Sequence, residues 1–122
     1  QRLSEAAMSD CLFCRIVRGE IPARKVYEDE HVLAFHDISP VAPVHILVVP
    51  KEHVGSMAEL EPRHEAAMGR LMVAAAQIAR EQGCENGFRT IVNTGRIGLQ
   101  EVYHLHLHIL GGPNPLPPML KY

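Results

Sequence analysis

The sequence predicts an α+β fold built on a mainly antiparallel sheet, and three observations carry that prediction. Short β-branched segments outnumber helical ones and do not alternate regularly with them. A single long stretch, Pro62 to Gln82, has helical periodicity. A late segment, "VYHLHLHILGG" from Val102 to Gly112, alternates imidazoles with aliphatic side chains one residue at a time, which is the period of a strand.

The elements follow in chain order. "SDCLFCRIVRGEIP" predicts a short helix capped by Asp10, with Leu12, Phe13, Ile16 and Val17 as its apolar stripe and Gly19 and Pro22 as its stop. "KVYED" and "VLAFHDI" alternate and are separated by the acidic pair Asp29 and Glu30, so they form a hairpin. "SPVAP", Ser39 to Pro43, is a rigid bend because its prolines lack backbone donors. "VHILVVP", Val44 to Pro50, is β-branched and apolar enough for a central strand. In the long helix, Pro62 suits the first turn, Ala67, Leu71, Ala74, Ala75 and Ile78 make the buried stripe, and Gly83 ends it. "FRTIVN", Phe88 to Asn93, is a strand, followed by the glycine-punctuated loop "TGRIGLQE" and the histidine strand.

Composition narrows the function. The chain has 122 residues, 47% apolar and 21% charged, with a formal net charge of −2. That suits one folded core and gives no electrostatic case for a nucleic-acid or membrane surface. No apolar run approaches the roughly 20 residues of a membrane span. Residues 1–7 are expected to be a leader or vector remnant before Met8, with 8–122 a single domain. Three cysteines, two of them in "CLFC", make no disulfide framework and favour a reducing, cytoplasmic home.

The histidine row carries the chemistry. Strand spacing puts His104, His106 and His108 on one face and sends Leu105, Leu107 and Ile109 to the core. Positions 104 and 108 lie roughly 13 Å apart at about 3.3 Å per residue, too far for one ion with metal–nitrogen bonds of about 2.0–2.1 Å. The three imidazoles therefore divide their labour. A solvated, pH-sensitive row is the bland alternative. A histidine can attack phosphorus as a nucleophile, flanking imidazoles can carry charge or protons, and the glycine loop can offer N–H groups to phosphate oxygens. The pattern points to phosphoryl or nucleotidyl transfer.

Cys11-x-x-Cys14 has three readings. A redox pair would expect a βαβ context, which is absent. A zinc half-site would be completed by histidines, with His53 of "PKEH" and His104 the candidates. Two free, half-buried thiols are the plain alternative. Cys84 has no readable role, and His31, His36 and His64 are expected to be surface or structural.

"HLHLHIL" resembles the motif of the histidine triad (HIT) proteins. With "CRIVRGEIPARKVYEDE", "AFHDISPVAPVHILVVPKEH" and "NTGRIGLQEVYHLHLHILGG", nearly all of the chain after Met8 is similar to the Hint branch, the nucleoside phosphoramidases. The resemblance implies a five-stranded antiparallel sheet with one short and one long helix, joined in a homodimer. It implies a purine nucleotide substrate, AMP or GMP linked P–N to an amine, and no organic cofactor. His106 would attack the α-phosphorus, His108 would contact the phosphate, and His45 would sit in a proton relay. Asp37 would hold the ribose hydroxyls. Leu12, Phe13, Ile16, Phe35, Ile38 and Leu47 would line the base pocket, and Asn93, Gln100, Glu101 and Val102 would approach phosphate or ribose. Galactose-1-phosphate uridylyltransferases, also histidine triad relatives, look similar in coupling such cysteines to a histidine and the first triad position, which would give zinc the ligands Cys11, Cys14, His53 and His104.

Two positions depart from the family pattern. Glu101 stands where some members have a small hydroxyl residue, and it would suit a lysine-like leaving amine. Leu99 stands where the loop often has a second glycine, so a backbone approach to phosphate there would meet an ill-suited residue. Two other functions compete: a dinucleoside polyphosphate hydrolase, and a nucleotide-binding partner protein whose small-residue helix and tail "GGPNPLPPMLKY" matter more than turnover.

Overall fold

Val44–Pro50 (β3) becomes the middle strand of a five-stranded sheet in the computed structural model, which describes residues 11–119. The sheet order is β1 (Lys25–Glu28), β2 (Val32–His36), β3, β5 (Leu107–Gly111), β4 (Arg89–Ile91), and each neighbouring pair is antiparallel. Two helices complete it, α1 (Leu12–Val17) and α2 (Glu65–Glu81). The leader assigned to residues 1–7 and the cap assigned to Asp10 lie outside the described residues.

The sheet is covered on both faces, which explains why β2 and β3 are buried almost throughout rather than on alternate residues. On one face Val32, Ala34, Ile46, Val48, Leu107 and Ile109 pack with Leu71, Ala74, Ala75 and Ile78 of α2. The alanines let the helix approach closely. On the other face Leu33, Phe35, Leu47 and Val49 pack with Phe13 and Ile16 of α1.

Local chemistry sets the element ends. Asp29 Oδ1 accepts the N–H groups of His31 (2.8 Å) and Val32 (2.9 Å) and closes the β1–β2 turn. Cys11 is the N-cap of α1, its sulfur accepting the Cys14 N–H at 3.5 Å. The expected helix from Pro62 begins instead as a 3₁₀ turn, Pro62–His64, before α2. His64 Nδ1 accepts the Glu61 N–H at 2.9 Å, and this capping role makes it a buried, structural histidine, the second of the two readings expected for it. Ala67 is only half-buried, and Ala79 joins the stripe instead. Gly83, at φ +85, ends the helix in the left-handed conformation that glycine tolerates.

Two strand predictions shorten. Phe88–Asn93 forms ladder bonds only over Arg89–Ile91. The histidine strand begins at Leu107, so His104 and His106 precede it on irregular backbone. There Leu105 donates its N–H to Val54 O at 2.7 Å, outside the sheet. Leu105, Leu107 and Ile109 do enter the α2-side core. His104 is fully buried and His106 nearly so, which removes the solvated-row reading. No helix among the described residues is long and apolar enough to cross a membrane.

Candidate active site

Register brings β3 and β5 histidines together. His45 pairs with Leu110 and Leu47 with His108, so His45, Leu47 and His108 share the sheet face that α1 covers. Phe13 of α1 sits edge-on to both His104 (ring centroids 5.9 Å apart) and His106 (5.1 Å). The short helix thereby clamps the buried half of the row.

The tautomer of each imidazole is set by what it bonds, and His106 differs from the other three. His106 Nδ1 lies 2.8 Å from the carbonyl oxygen of His104, and a carbonyl only accepts. Nδ1 therefore carries the hydrogen, and in the neutral ring Nε2 keeps its lone pair. His104 Nε2 lies 2.8 Å from Pro50 O, so there Nε2 donates and Nδ1 keeps the lone pair. His108 is set at one remove. Val41 donates its backbone N–H to His45 Nδ1 at 3.1 Å, which leaves the His45 hydrogen on Nε2. His45 Nε2 lies 3.0 Å from His108 Nδ1 and donates to it, so His108 carries its hydrogen on Nε2. That nitrogen has no hydrogen-bond partner among the described residues.

Burial keeps His45 and His108 neutral. Burial pushes His108 down to about 4, helped by His106 and His45 and opposed by Asp37. Burial also lowers His45, and the Asp37 carboxylate opposes it from 3.4 Å. A cleft of about 370 Å³ opens on the group, lined by His45, His106, His108, Asp37, Asn93, Leu99 and Glu101, together with Ser39, Val41, Ile91, Leu110 and Met119. Its donors, its carboxylates and the free Nε2 of His106 suit the binding and attack of a phosphorus centre.

A second cluster lies behind the first. Ligand atoms of Cys11, Cys14, His53 and His104 all lie within 4.8 Å of one another. Cys14 Sγ is 3.1 Å from His53 Nδ1 and 3.5 Å from His104 Nδ1, and Cys11 Sγ is 3.4 Å from His104 Nδ1. Tetrahedral bonds of about 2.3 Å to sulfur and 2.0–2.1 Å to nitrogen require ligand separations of roughly 3.5 Å, so the four residues can hold a metal ion. Pro50 O supplies the outer-shell contact that leaves His104 Nδ1 free to ligate. Burial and the neighbouring Cys11 thiol push Cys14 up to about 12, so the Cys14 thiol needs a cation beside it to ionise. Burial lowers His104 to about 4 and lowers His53 as well.

Asp37, His45 and His108 also have metal-compatible spacing. The Val41 N–H argues for a different use. It occupies Nδ1 of His45 and places the hydrogen on Nε2, the atom a metal would need bare.

The other sequence-expected residues divide. Asn93 and Glu101 border the cleft with Asp37. Phe13, Ile16, Phe35, Leu47 and Val102 belong to the apolar cluster under α1, and none of them borders this cleft. Leu12 is partly exposed, and Ile38 is 97% exposed on the "HDISP" turn. Gln100 is buried as a clamp: its amide donates to Gly55 O (2.8 Å) and Val102 O (3.0 Å), and its carbonyl accepts the Gly95 N–H (2.9 Å). Half of the glycine loop's N–H groups are turned inward. Those of Gly95, Gly98, Leu99 and Gln100 are all bonded within the loop. Sequence reasoning missed Ser39, Val41, Ile91, Leu110 and Met119 as cleft residues. Val41 was signalled only by lying in the bend between Asp37 and His45, because its contribution is a backbone hydrogen.

Comparison with known proteins agrees with this geometry. A family model described as the HIT domain matches residues 18–114. The chain is 48% identical over 114 residues to the purine nucleoside phosphoramidase of Escherichia coli K12, covering 93% of this chain and 95% of that one. A solved histidine triad protein from Clostridium difficile superposes with a TM-score of 0.86 at 50% identity, covering 91% and 96% of the two chains. A HIT family hydrolase from Legionella pneumophila gives 0.83 at 42% identity, covering 86% and 95%. With its five-stranded antiparallel sheet, its short and long helices and its buried histidine row, this chain belongs to the HIT family.

Proposed function

We propose that the chain hydrolyses the P–N bond of purine nucleoside 5'-phosphoramidates through a nucleotidyl-histidine. The observation that carries this reading is the His106 tautomer: Nδ1 is tied to the His104 carbonyl, so the bare Nε2 belongs to a residue that borders the cleft. Its similarity to a purine nucleoside phosphoramidase and to a HIT family hydrolase supports a nucleotide-hydrolase role.

The steps follow from the donors present. Nε2 of His106 attacks the α-phosphorus, the P–N bond breaks, and the nitrogen leaves with the electron pair and a proton. His108 Nε2–H donates to a phosphoryl oxygen. Burial keeps the His45–His108 pair neutral, and the negative charge of a bound phosphate raises its proton affinity, as Asp37 does. The pair then holds the proton that the amine takes and recovers one from the attacking water. Water cleaves the P–His106 bond and releases the nucleoside monophosphate. Asp37 also accepts ribose hydroxyls, and Asn93 and Glu101 lie within the same cleft.

Zinc held by Cys11, Cys14, His53 and His104 fits the donor set and would supply a structural tie between α1 and the backbone that precedes His106. A homodimer is in keeping with the position of β4 at an edge of the sheet and with Met72 and Val73, which α2 leaves more than half exposed. The deciding experiment is intact mass spectrometry after brief mixing with an adenosine phosphoramidate. The expected result is an adenylyl adduct on the wild type that is absent from His106→Ala. Turnover with no adduct under rapid quench removes the covalent step.

A further inference from the structure

We propose that Leu99 and Glu101 form a leaving-group subsite that selects an aliphatic amine carrying a second positive charge. The inference rests on the phosphoramidase reading and names the amine that it leaves open. Both residues border the cleft that holds His106 and His108. Gln100 lies between them, and its three hydrogen bonds to Gly95, Gly55 and Val102 hold the loop, so its two neighbours extend from anchored backbone.

Leu99 is in the left-handed region at φ +61, the one non-glycine residue there among those described, and it is 79% exposed. A leucine in that conformation is strained, and its exposure shows that core packing does not compensate. Its side chain gives the cleft an apolar wall suited to an alkyl stem. Glu101 has no hydrogen-bond or ion-pair partner among the described residues. Asp37, the other carboxylate of the cleft, already accepts the Ser39 N–H and faces His45. No lysine or arginine is among the described residues that line the cleft. A row of several phosphates would call for such cations. A single phosphate with a cationic leaving group matches the charges present.

The test compares two adenosine 5'-phosphoramidates with equal numbers of heavy atoms in the amine, those of n-pentylamine and 1,4-diaminobutane. Wild type should favour the diamine in kcat/KM by about threefold to fivefold, the size of a partly exposed ion pair. That ratio should fall toward one in molar salt, which screens the pair. Glu101→Gln should bring the ratio to one in ordinary buffer. Glu101→Lys should shift the preference to the amidate of 4-aminobutanoate, an inversion that misfolding cannot produce. Leu99→Gly should weaken the pentylamine amidate relative to the methylamine one. A wild-type ratio near one, a ratio indifferent to salt, or one that survives Glu101→Gln overturns the subsite and leaves the reaction standing. If wild type cleaves no amidate, the reaction assignment itself falls and the subsite with it.

Discussion

The carbonyl oxygen of His104 lies 2.8 Å from Nδ1 of His106, two residues along the same chain. The side chain of His104 faces the thiols of Cys11 and Cys14, while its backbone orients the imidazole that borders the cleft. One residue thus joins the two clusters. His106→Ala should lower turnover of an adenosine phosphoramidate at least about a thousandfold, as loss of a nucleophile does, with AMP binding still measurable by calorimetry. Wild-type turnover in that variant would assign the nucleophile elsewhere.

Val41 acts through its backbone N–H, so proline is the informative replacement. Val41→Pro removes the donor to His45 Nδ1 and with it the reason for the tautomers of His45 and His108. kcat should fall about tenfold to a hundredfold, on the scale of a disturbed proton relay. Nitrogen-15 imidazole spectra should show the His45 hydrogen redistributed between its two nitrogens. Unchanged spectra and unchanged kcat would mean that the contact sets nothing.

The four-residue cluster should hold about one zinc ion per chain in protein purified without chelators. Cys14→Ala should lose it and lower the melting temperature by several degrees, because metal binding contributes to folding free energy. Well under one ion per chain in the wild type would leave Cys11 and Cys14 as free thiols.

Metal-stripped protein should lose stability in acid. Burial holds His104 at about 4, against an ordinary value of 6.5. The unfolded chain therefore binds the proton first, and stability rises with pH between those values. The His104 contribution is complete above about pH 6.5 and is lost as the pH falls toward 4. It amounts to on the order of 3 kcal/mol. His108, which is less deeply buried than His104, adds a smaller part of the same sign. Denaturant midpoints from pH 7 to pH 4 measure the fall, and His104→Gln should flatten it.

Much of this was legible in the chain. Leu105, Leu107 and Ile109 enter the core as period-2 alternation expects, while His104 and His106 are buried too, under Phe13 of α1. The structure turns His104 toward sulfur and leaves His106 and His108 at the cleft, although His104 and His106 lie before the strand on which the spacing argument was built. The early end of the strand was not legible, since side-chain alternation does not show which backbone groups find ladder partners. Leu105 bonds Val54 instead. Nor did the glycines of "TGRIGLQE" show that the loop bonds the N–H groups of Gly95, Gly98, Leu99 and Gln100 internally.

The sequence by itself determined the α+β class, the central strand, the long helix and the residue types available for chemistry. Periodicity and punctuation are local properties, and they survive without a fold. Tertiary structure decided the protonation pattern. His45 and His108 are 63 residues apart, and Cys14 and His104 are 90 apart. Only antiparallel pairing and the docking of α1 bring them within hydrogen-bond distance. Which ring nitrogen carries the hydrogen then follows from a Pro50 carbonyl, a His104 carbonyl and a Val41 amide, backbone groups that every sequence contains and only a fold aims.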